Sequence, residues 1–315
     1  MTRSLMRASI AAIAIAGCAG ACRRATSADD TLVVYNAGSL ARPIRAALDT
    51  FIAHNGGRAE QENSGSLETA RKLTELHKIP DVIALADYEL FPRMLIPAHT
   101  TWYAQFARNR MVLAYTDRSR FAADVTPQNW WQILQRSGVE TGRADPNSDP
   151  NGYRTLLTMQ LAERVYAQPG LYDRLLALEP ARNMRPVEAE LVALLQAGEL
   201  DYIWSYESIA QGASLRYLTL PREIDLSDPD QAGFYAGATT RVRGKAPGDT
   251  VVFRGEPIVY GLSIPTNAPH RARAGAFVKW LMSPDGIRVL RANKLDAVEH
   301  PVILGSAVPE SLIPR

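Results

Sequence analysis

Two glycine–serine pairs occupy equivalent places in this chain. Gly38-Ser39 and Gly65-Ser66 each follow a short strand pattern and precede a helical one. A helix N-terminus offers unpaired backbone N–H groups and about half a positive charge. Glycine lets the backbone approach a ligand closely, and a serine hydroxyl adds a donor. Two such termini facing one cleft can bind an oxyanion without any Arg or Lys. Taken alone, either serine is more simply a helix N-cap.

Further along, Asp145-Pro-Asn-Ser-Asp-Pro-Asn-Gly-Tyr-Arg154 is dense in turn formers and leads into a helix. Asp149 reads by default as a turn or N-cap residue. Glu188 lies in the first turn of the helix after Pro186, with Leu191, Val192 and Leu195 at i+3, i+4 and i+7. That spacing puts it on or beside the packed face, near the open end, where a glutamate is usually a solvated dipole partner. Tyr206 ends the apolar run Tyr202-Ile-Trp-Ser and is more often core than ligand. Other chemistries find no support. The five histidines (His54, His77, His99, His270, His300) share no metal-ligand spacing, and the chain has no nucleophile elbow, P-loop or dinucleotide fingerprint. A Ser-His-Asp hydrolase site is spatial, and nothing in the spacing favours one.

The elements that must position these residues alternate. Leu32–Tyr35 is a strand, followed by a helix carrying Ile44, Leu48, Phe51 and Ile52, with Pro43 in its first turn. A polar strand at about 58–62 leads to a helix through Leu67, Ala70, Leu73 and Leu76; Asp81–Ala86 is an apolar strand. Such alternation argues for a mostly parallel sheet. A strand at 110–115 leaves this first unit. A helix at 127–136, a strand at 139–142, helices at 153–168 and 186–196 and a strand at 201–205 follow. The strand Pro257–Ile264 returns, and two helices, at 272–282 and 285–292, close the chain. The pattern predicts two α/β lobes joined by two crossing strands: lobe I over 31–112 plus 256–315, lobe II over 113–255. Lobes so joined close on a ligand between them. A single doubly wound domain would need one core for about 285 residues, at the upper edge of what one core supports.

Composition narrows the class. The chain has 315 residues, 46% hydrophobic and 22% charged, an ordinary globular balance. The formal charge is +2, and Arg3 and Arg7 account for it, so residues from 18 onward carry 2 − 2 = 0. A nucleic-acid binder would carry a basic excess. Any anion must therefore be attracted by local geometry. Arg3 and Arg7 precede the apolar run Ala8–Ala16, then Gly17-Cys18. This predicts a signal peptide over 1–17, too short to span a bilayer. Ile15-Ala-Gly-Cys18 resembles a bacterial lipoprotein cleavage box, with Cys18 acylated and 18–30 as a tether. Cys22 is a second candidate, and ordinary cleavage near Ala21 is the alternative. These two cysteines precede the folded body, which has no disulfide or thiol chemistry.

Taken together the motifs resemble the molybdate/tungstate-binding proteins of ABC importers, in the branch best known from archaea. The matching stretches are Tyr35–Leu40, Ser64–Leu67, Arg71–Leu76, Asp81–Tyr88, Ile96-Pro97, Asn129-Trp130, Asp145–Arg154, Arg185–Leu195, Leu218–Leu226 and Pro257–Gly261. They run in order from about Leu32 to Leu295. The Asp-Pro-x-Gly-Tyr-Arg and Glu-x-Glu-Leu-Val-Ala elements are the specific ones. The resemblance implies a type II periplasmic-binding-protein fold, each lobe a mixed sheet flanked by helices. It implies a periplasmic or cell-surface monomer, held to the membrane by a lipid, serving a permease and an ATPase without cofactor or catalysis. Carried over by motif, the ligand residues are Gly38, Ser39 and Ser66 from lobe I, and Asp149, Pro150, Asn151, Glu188 and Tyr206 from lobe II. In this branch the two carboxylates, here Asp149 and Glu188, bind the metal of the oxyanion. The chain departs from the family at Asn151, where Cys or another small residue is frequent, and at Glu207, where a basic residue is usual. The alternative ligands are sulfate, thiosulfate or another small anion in the same fold. A secreted acid/base hydrolase using Asp149 and Glu188 is the third reading.

Overall fold

The computed structural model describes residues 31–244 and 248–312. The signal-peptide segment, Cys18, Cys22 and the tether lie outside the described residues. Among the described residues no helix is long and apolar enough to cross a membrane.

The first sheet is laid down by β1 (Thr31–Ala37), β2 (Arg58–Ser64), β3 (Val82–Leu85) and β4 (Trp102–Arg108). The chain then crosses, and β5 (Met111–Tyr115), β6 (Thr141–Ala144), β7 (Met184–Arg185), β8 (Tyr202–Tyr206) and β9 (Arg216–Thr219) build a second sheet in the order β7-β6-β8-β5-β9. A two-stranded hairpin follows, β10 (Thr239–Arg243) with β11 (Thr250–Arg254). The chain then returns, and β12 (Val259–Ser263) and β13 (Asp296–Gly305) complete the first sheet as β13-β4-β12-β3-β1-β2. The crossings thus lie between Arg108 and Met111 and between Arg254 and Val259. Helices flank both sheets, as in the expected two-lobed α/β class.

The sheets are mixed rather than mostly parallel. β1 runs parallel to β2 and β3, and β6 to β7 and β8. The strands next to each crossing are antiparallel to their neighbours: β12 against β3 and β4, β5 against β8 and β9. A strand that enters from the other lobe arrives from the opposite direction, so the crossing itself sets the antiparallel pairing. Nor do two helices close the chain, because β13 adds an edge strand after them. Local periodicity identified most of the strands that alternate with helices but not β7 or β9; β4 and β13 pair with strands far away in the chain, and the β10–β11 hairpin, though local, is not predicted by the pattern.

The expected helices form, with boundaries moved by a few residues, and Leu171–Ala177, Glu207–Gly212 and Ala232–Tyr235 are helices that the pattern did not foresee. Ala41–Asn55 buries Pro43, Ile44, Ala47, Leu48 and Phe51 along one stripe and ends at Gly56, whose φ of 72° suits a glycine stop. Glu188–Ala197 ends likewise at Gly198, φ 84°. Pro150–Val165 is different: every residue from Pro150 to Met159 is buried. It is a helix packed on all sides, and its N-terminus points at the interface between the lobes.

Candidate functional site

In open α/β sheets, ligands bind beyond the carboxyl ends of the strands. All the candidate residues converge there. Ser39 follows β1, Ser66 follows β2, Asp149 closes the loop after β6, and Tyr206 ends β8. All four are buried, Ser66 completely. Neither serine is an N-cap. Ala37 and Gly65 hold those positions, and no side chain makes a capping bond at either helix start. The two hydroxyls are thus free of the helix ends they adjoin.

Each candidate hydroxyl is instead backed by a donor from behind. The Ser66 Oγ accepts the Ala86 N–H at 2.9 Å. The Ser39 Oγ accepts the Tyr260 hydroxyl at 3.0 Å, and Tyr260 accepts Asn109 Nδ2 at 2.9 Å. The Tyr206 hydroxyl accepts Arg154 Nη1 at 2.8 Å. A hydroxyl has one proton, and an oxygen already accepting a bond keeps that proton to donate. Three O–H donors are therefore preset, two from the first lobe and one from the second.

Gly38 and Gly65 play different parts. A Cβ at Gly38 would meet no atom within 4 Å, and Gly38 borders a groove between the lobes shared with Arg42, Ala189, Ser208 and Gly212. A Cβ at Gly65 would stand 2.1 Å from the Ser148 carbonyl oxygen and 3.2 Å from Asp149 Cα. Gly65 is where the lobes touch, backbone to backbone.

The second wall is acidic. Asp149 is indeed the N-cap of Pro150–Val165, its Oδ1 taking the Asn151 N–H at 2.9 Å. Burial pushes its carboxyl up to about 6, against the pull of that N–H, of Arg154 and of the Glu188 N–H. Pro150 sits at the first helical position, where its missing N–H costs nothing. Glu188 is not a solvated dipole partner: it is only 1% exposed. Its Oε1 accepts the Tyr206 N–H at 2.8 Å and the Ser205 hydroxyl. Burial drives its carboxyl well above the usual range, and the neighbouring Asp149 adds to this. Its other oxygen, Oε2, makes no well-formed hydrogen bond, although the Asn151 amide is near enough to favour the ionised carboxylate; Asn151 Oδ1 is also unpaired, and Asn151 Nδ2 reaches the Trp204 carbonyl at 3.3 Å. A buried polar atom without a partner costs on the order of 1–3 kcal/mol. Two such atoms beside two buried carboxyls mark a place built for something electrophilic.

The sequence reading named no role for Arg154, Tyr260, Asn109, Asp87 or Ser205. Arg154 is 4% exposed, and its guanidinium also donates to the Ala86 carbonyl of the other lobe at 2.8 Å. A lone arginine one turn into an otherwise uncharged helix start was the available signal. Tyr260 lies in an apolar returning strand, and only the tertiary fold brings it to Ser39. Among the described residues, no three His, Cys, Asp or Glu side chains are grouped as a bare metal cation requires.

Comparison with known proteins gives the family and the fold. The profile of the bacterial extracellular solute-binding protein family matches residues 32–293. An uncharacterized solute-binding protein of Petrotoga mobilis is 41% identical over 271 residues, covering 86% of this chain and 84% of that one. A molybdate/tungstate-binding protein of Thermococcus kodakarensis is 35% identical over 312 residues, covering 90% and 86%. Among solved structures, the periplasmic molybdate-binding protein of Azotobacter vinelandii superposes with a TM-score of 0.60 at 15% identity, covering 84% of this chain and 98% of that one. A sulfate-binding protein of Mycobacterium tuberculosis gives 0.60 at 13% identity, covering 85% and 87%. At such identities the two structures speak to the fold, which they share with this chain.

Proposed function

Because the chain belongs to the bacterial extracellular solute-binding protein family, we propose that it captures molybdate or tungstate outside the cytoplasm and delivers it to an ABC importer. The anion sits between the two lobes, whose crossings lie between Arg108 and Met111 and between Arg254 and Val259. Ser39, Ser66 and Tyr206 donate their preset protons to its oxygens. Gly38 and the backbone at Pro150 and Asn151 line the same cleft. Asp149 and Glu188 approach the metal.

The observation that carries this reading is the pair of buried carboxyls, Asp149 and Glu188, close enough to act on each other at one wall of the cleft. A carboxylate facing sulfate in a poorly solvated cleft meets only like charge. Molybdenum and tungsten in their highest oxidation state are electron-poor and accept further oxygen ligands, which sulfur in sulfate does not. The acidic wall thus penalises sulfate and gains from the metalates, so selectivity comes from repulsion as much as attraction. The 35% identical molybdate/tungstate-binding relative supports the same ligand class. No cofactor or catalytic step is needed for this role.

Isothermal titration with molybdate, tungstate and sulfate tests it. Heat with both metalates and none with sulfate is expected. A ligand present at a thousand times its Kd should raise stability by about 4 kcal/mol. Heat with sulfate alone would overturn the metalate reading. We also propose that Cys18 is acylated and tethers a monomer to the membrane surface; Cys18→Ala should release the protein from the membrane fraction.

A further inference from the structure

The site accounts for the carboxylates and hydroxyls but leaves two buried polar side chains without a part, Asp87 and Tyr153, and gives Arg154 only the task of backing Tyr206; the three are 6%, 2% and 4% exposed. Tyr153 and Arg154 are consecutive residues of the Pro150–Val165 helix in the second lobe. Asp87 follows β3 in the first. The Tyr153 hydroxyl donates to Asp87 Oδ2, and Arg154 Nη2 lies 3.6 Å from the same oxygen. The other Asp87 oxygen, Oδ1, is satisfied at home by the Glu89 N–H at 3.0 Å. Asp87 therefore keeps one oxygen in its own lobe and offers the other across the interface.

Arg154 does the reverse. Its Nη1 is divided between the Tyr206 hydroxyl of its own lobe and the Ala86 carbonyl of the opposite one, each at 2.8 Å. The Ala86 N–H, in the preceding peptide group, backs the Ser66 hydroxyl. One guanidinium thus touches a hydroxyl of its own lobe and the main chain of the other, at the residue that backs Ser66. Every bond from this pair to Asp87 and Ala86 crosses between the lobes, so all are made on closure and broken on opening.

We propose that Tyr153, Arg154 and Asp87 form a closure latch that sets how long the ligand is held, rather than how fast it is captured. The proposal rests on the metalate reading above. Opened lobes leave Asp87 and Arg154 hydrated, and the anion can enter and meet its donors before the latch is made. Once closed, release requires breaking the cross-lobe bonds first. These three are positioning residues; none need touch the anion.

Stopped-flow measurement with tungstate on the full protein tests this, with Asp87→Ala and Tyr153→Phe. The Tyr153→Phe variant removes only the hydroxyl and keeps the ring stacked on Phe253, centroids 4.5 Å apart. Asp87→Ala should speed dissociation about tenfold to a hundredfold, and Tyr153→Phe about fivefold, with association rates within about threefold of wild type. The ligand-free melting temperature of Tyr153→Phe should stay at the wild-type value. Wild-type dissociation rates in both variants would overturn the latch, as would slower association with unchanged dissociation. So would an equal loss of stability with and without tungstate, which marks an ordinary structural role. If Asp87→Ala does not fold, Tyr153→Phe decides alone. Failure of the wild-type protein to bind tungstate would instead overturn the metalate reading, and with it a latch on that ligand.

Discussion

Gly65→Ala should act as a wedge. The glycine has φ −60° and ψ 144°, a conformation any residue adopts, so the substitution carries no backbone strain. Its cost is purely one of space. The new Cβ would stand 2.1 Å from the Ser148 carbonyl oxygen, whereas ordinary contact begins near 3.4 Å. The lobes must therefore part by about 1.3 Å at this point. The Ser148 backbone cannot swing aside, since its N–H and that of Asp149 are both tied to the Asp145 carbonyl, at 3.0 and 2.9 Å. The bonds that suffer are those crossing nearby: Arg71 Nη1 to the Asn147 carbonyl at 2.8 Å and Arg154 Nη1 to the Ala86 carbonyl at 2.8 Å. Hydrogen bonds involving a charged group contribute about 1.5–3 kcal/mol each. Weakening both by roughly half amounts to about 1.5–3 kcal/mol, or roughly tenfold to a hundredfold in Kd. Calorimetry with molybdate gives the affinity, and melting of the ligand-free protein gives the control, which should not change. Wild-type affinity in Gly65→Ala would refute the claim that the lobes meet at this glycine when ligand is bound.

Three further outcomes follow from the same geometry. Glu188→Gln keeps the shape of the side chain but replaces a carboxyl that can ionise onto the metal with an amide that cannot; it should cost at least tenfold in metalate affinity while sulfate binding, by calorimetry, becomes detectable. Ser66→Ala deletes one preset donor, and the loss of a bond to a charged ligand should weaken binding about tenfold to a hundredfold without lowering the ligand-free melting temperature by more than a few degrees. Glu179, buried behind the site against Arg143 and the Trp204 indole, is pushed by burial from the ordinary 4.5 up to about 7. A carboxyl with a raised folded-state pKa favours the protonated fold, so its contribution lowers stability as pH rises from about 4.5 to about 7 and then levels off. The gap corresponds to about 3 kcal/mol. Glu179→Gln should flatten the melting profile across that window even as its absolute stability falls, because Arg143 loses its partner. An unchanged slope would mean that Glu179 is ionised throughout.

How far the sequence carried can be judged residue by residue. Ser39 and Ser66 were legible because a strand, a Gly-Ser pair and a helix are consecutive in the chain, and the sheet does nothing but aim them. Asp149 was legible for a similar reason: an N-cap is a local structure, and its turn formers announce it. The choice between a serine that caps a helix and one that faces a cleft was not local. It depended on Ala86 and Tyr260, which arrive from β3 and from the strand returning out of the second lobe. Glu188 was named, but its burial was not foreseeable from a first-turn position; Ser205 and the Tyr206 N–H, 17 and 18 residues on, draw it inward. Arg154 was part of a quoted motif yet had no assigned role. Its two acceptors are 68 and 52 residues away, and no periodicity encodes a bond across two lobes. The strands at the two crossings were legible, but their antiparallel pairing escaped for the same reason, since their partners are set by where the chain crosses.

The β10–β11 hairpin is seated through its main chain. Two arginines of the first lobe hold it, Arg71 through the Arg243 carbonyl at 2.9 Å and Arg93 through the Val252 carbonyl at 2.9 Å. Both bonds grip main chain, which every sequence supplies. Mutational drift along the outward face of the hairpin, at Thr239, Arg241 or Arg254, leaves these grips intact, whereas drift at Arg71 or Arg93 does not. The hairpin is thus free to diversify its surface while keeping its seat. For an engineer, its exposed positions are the natural place to attach a fluorophore that reports ligand capture.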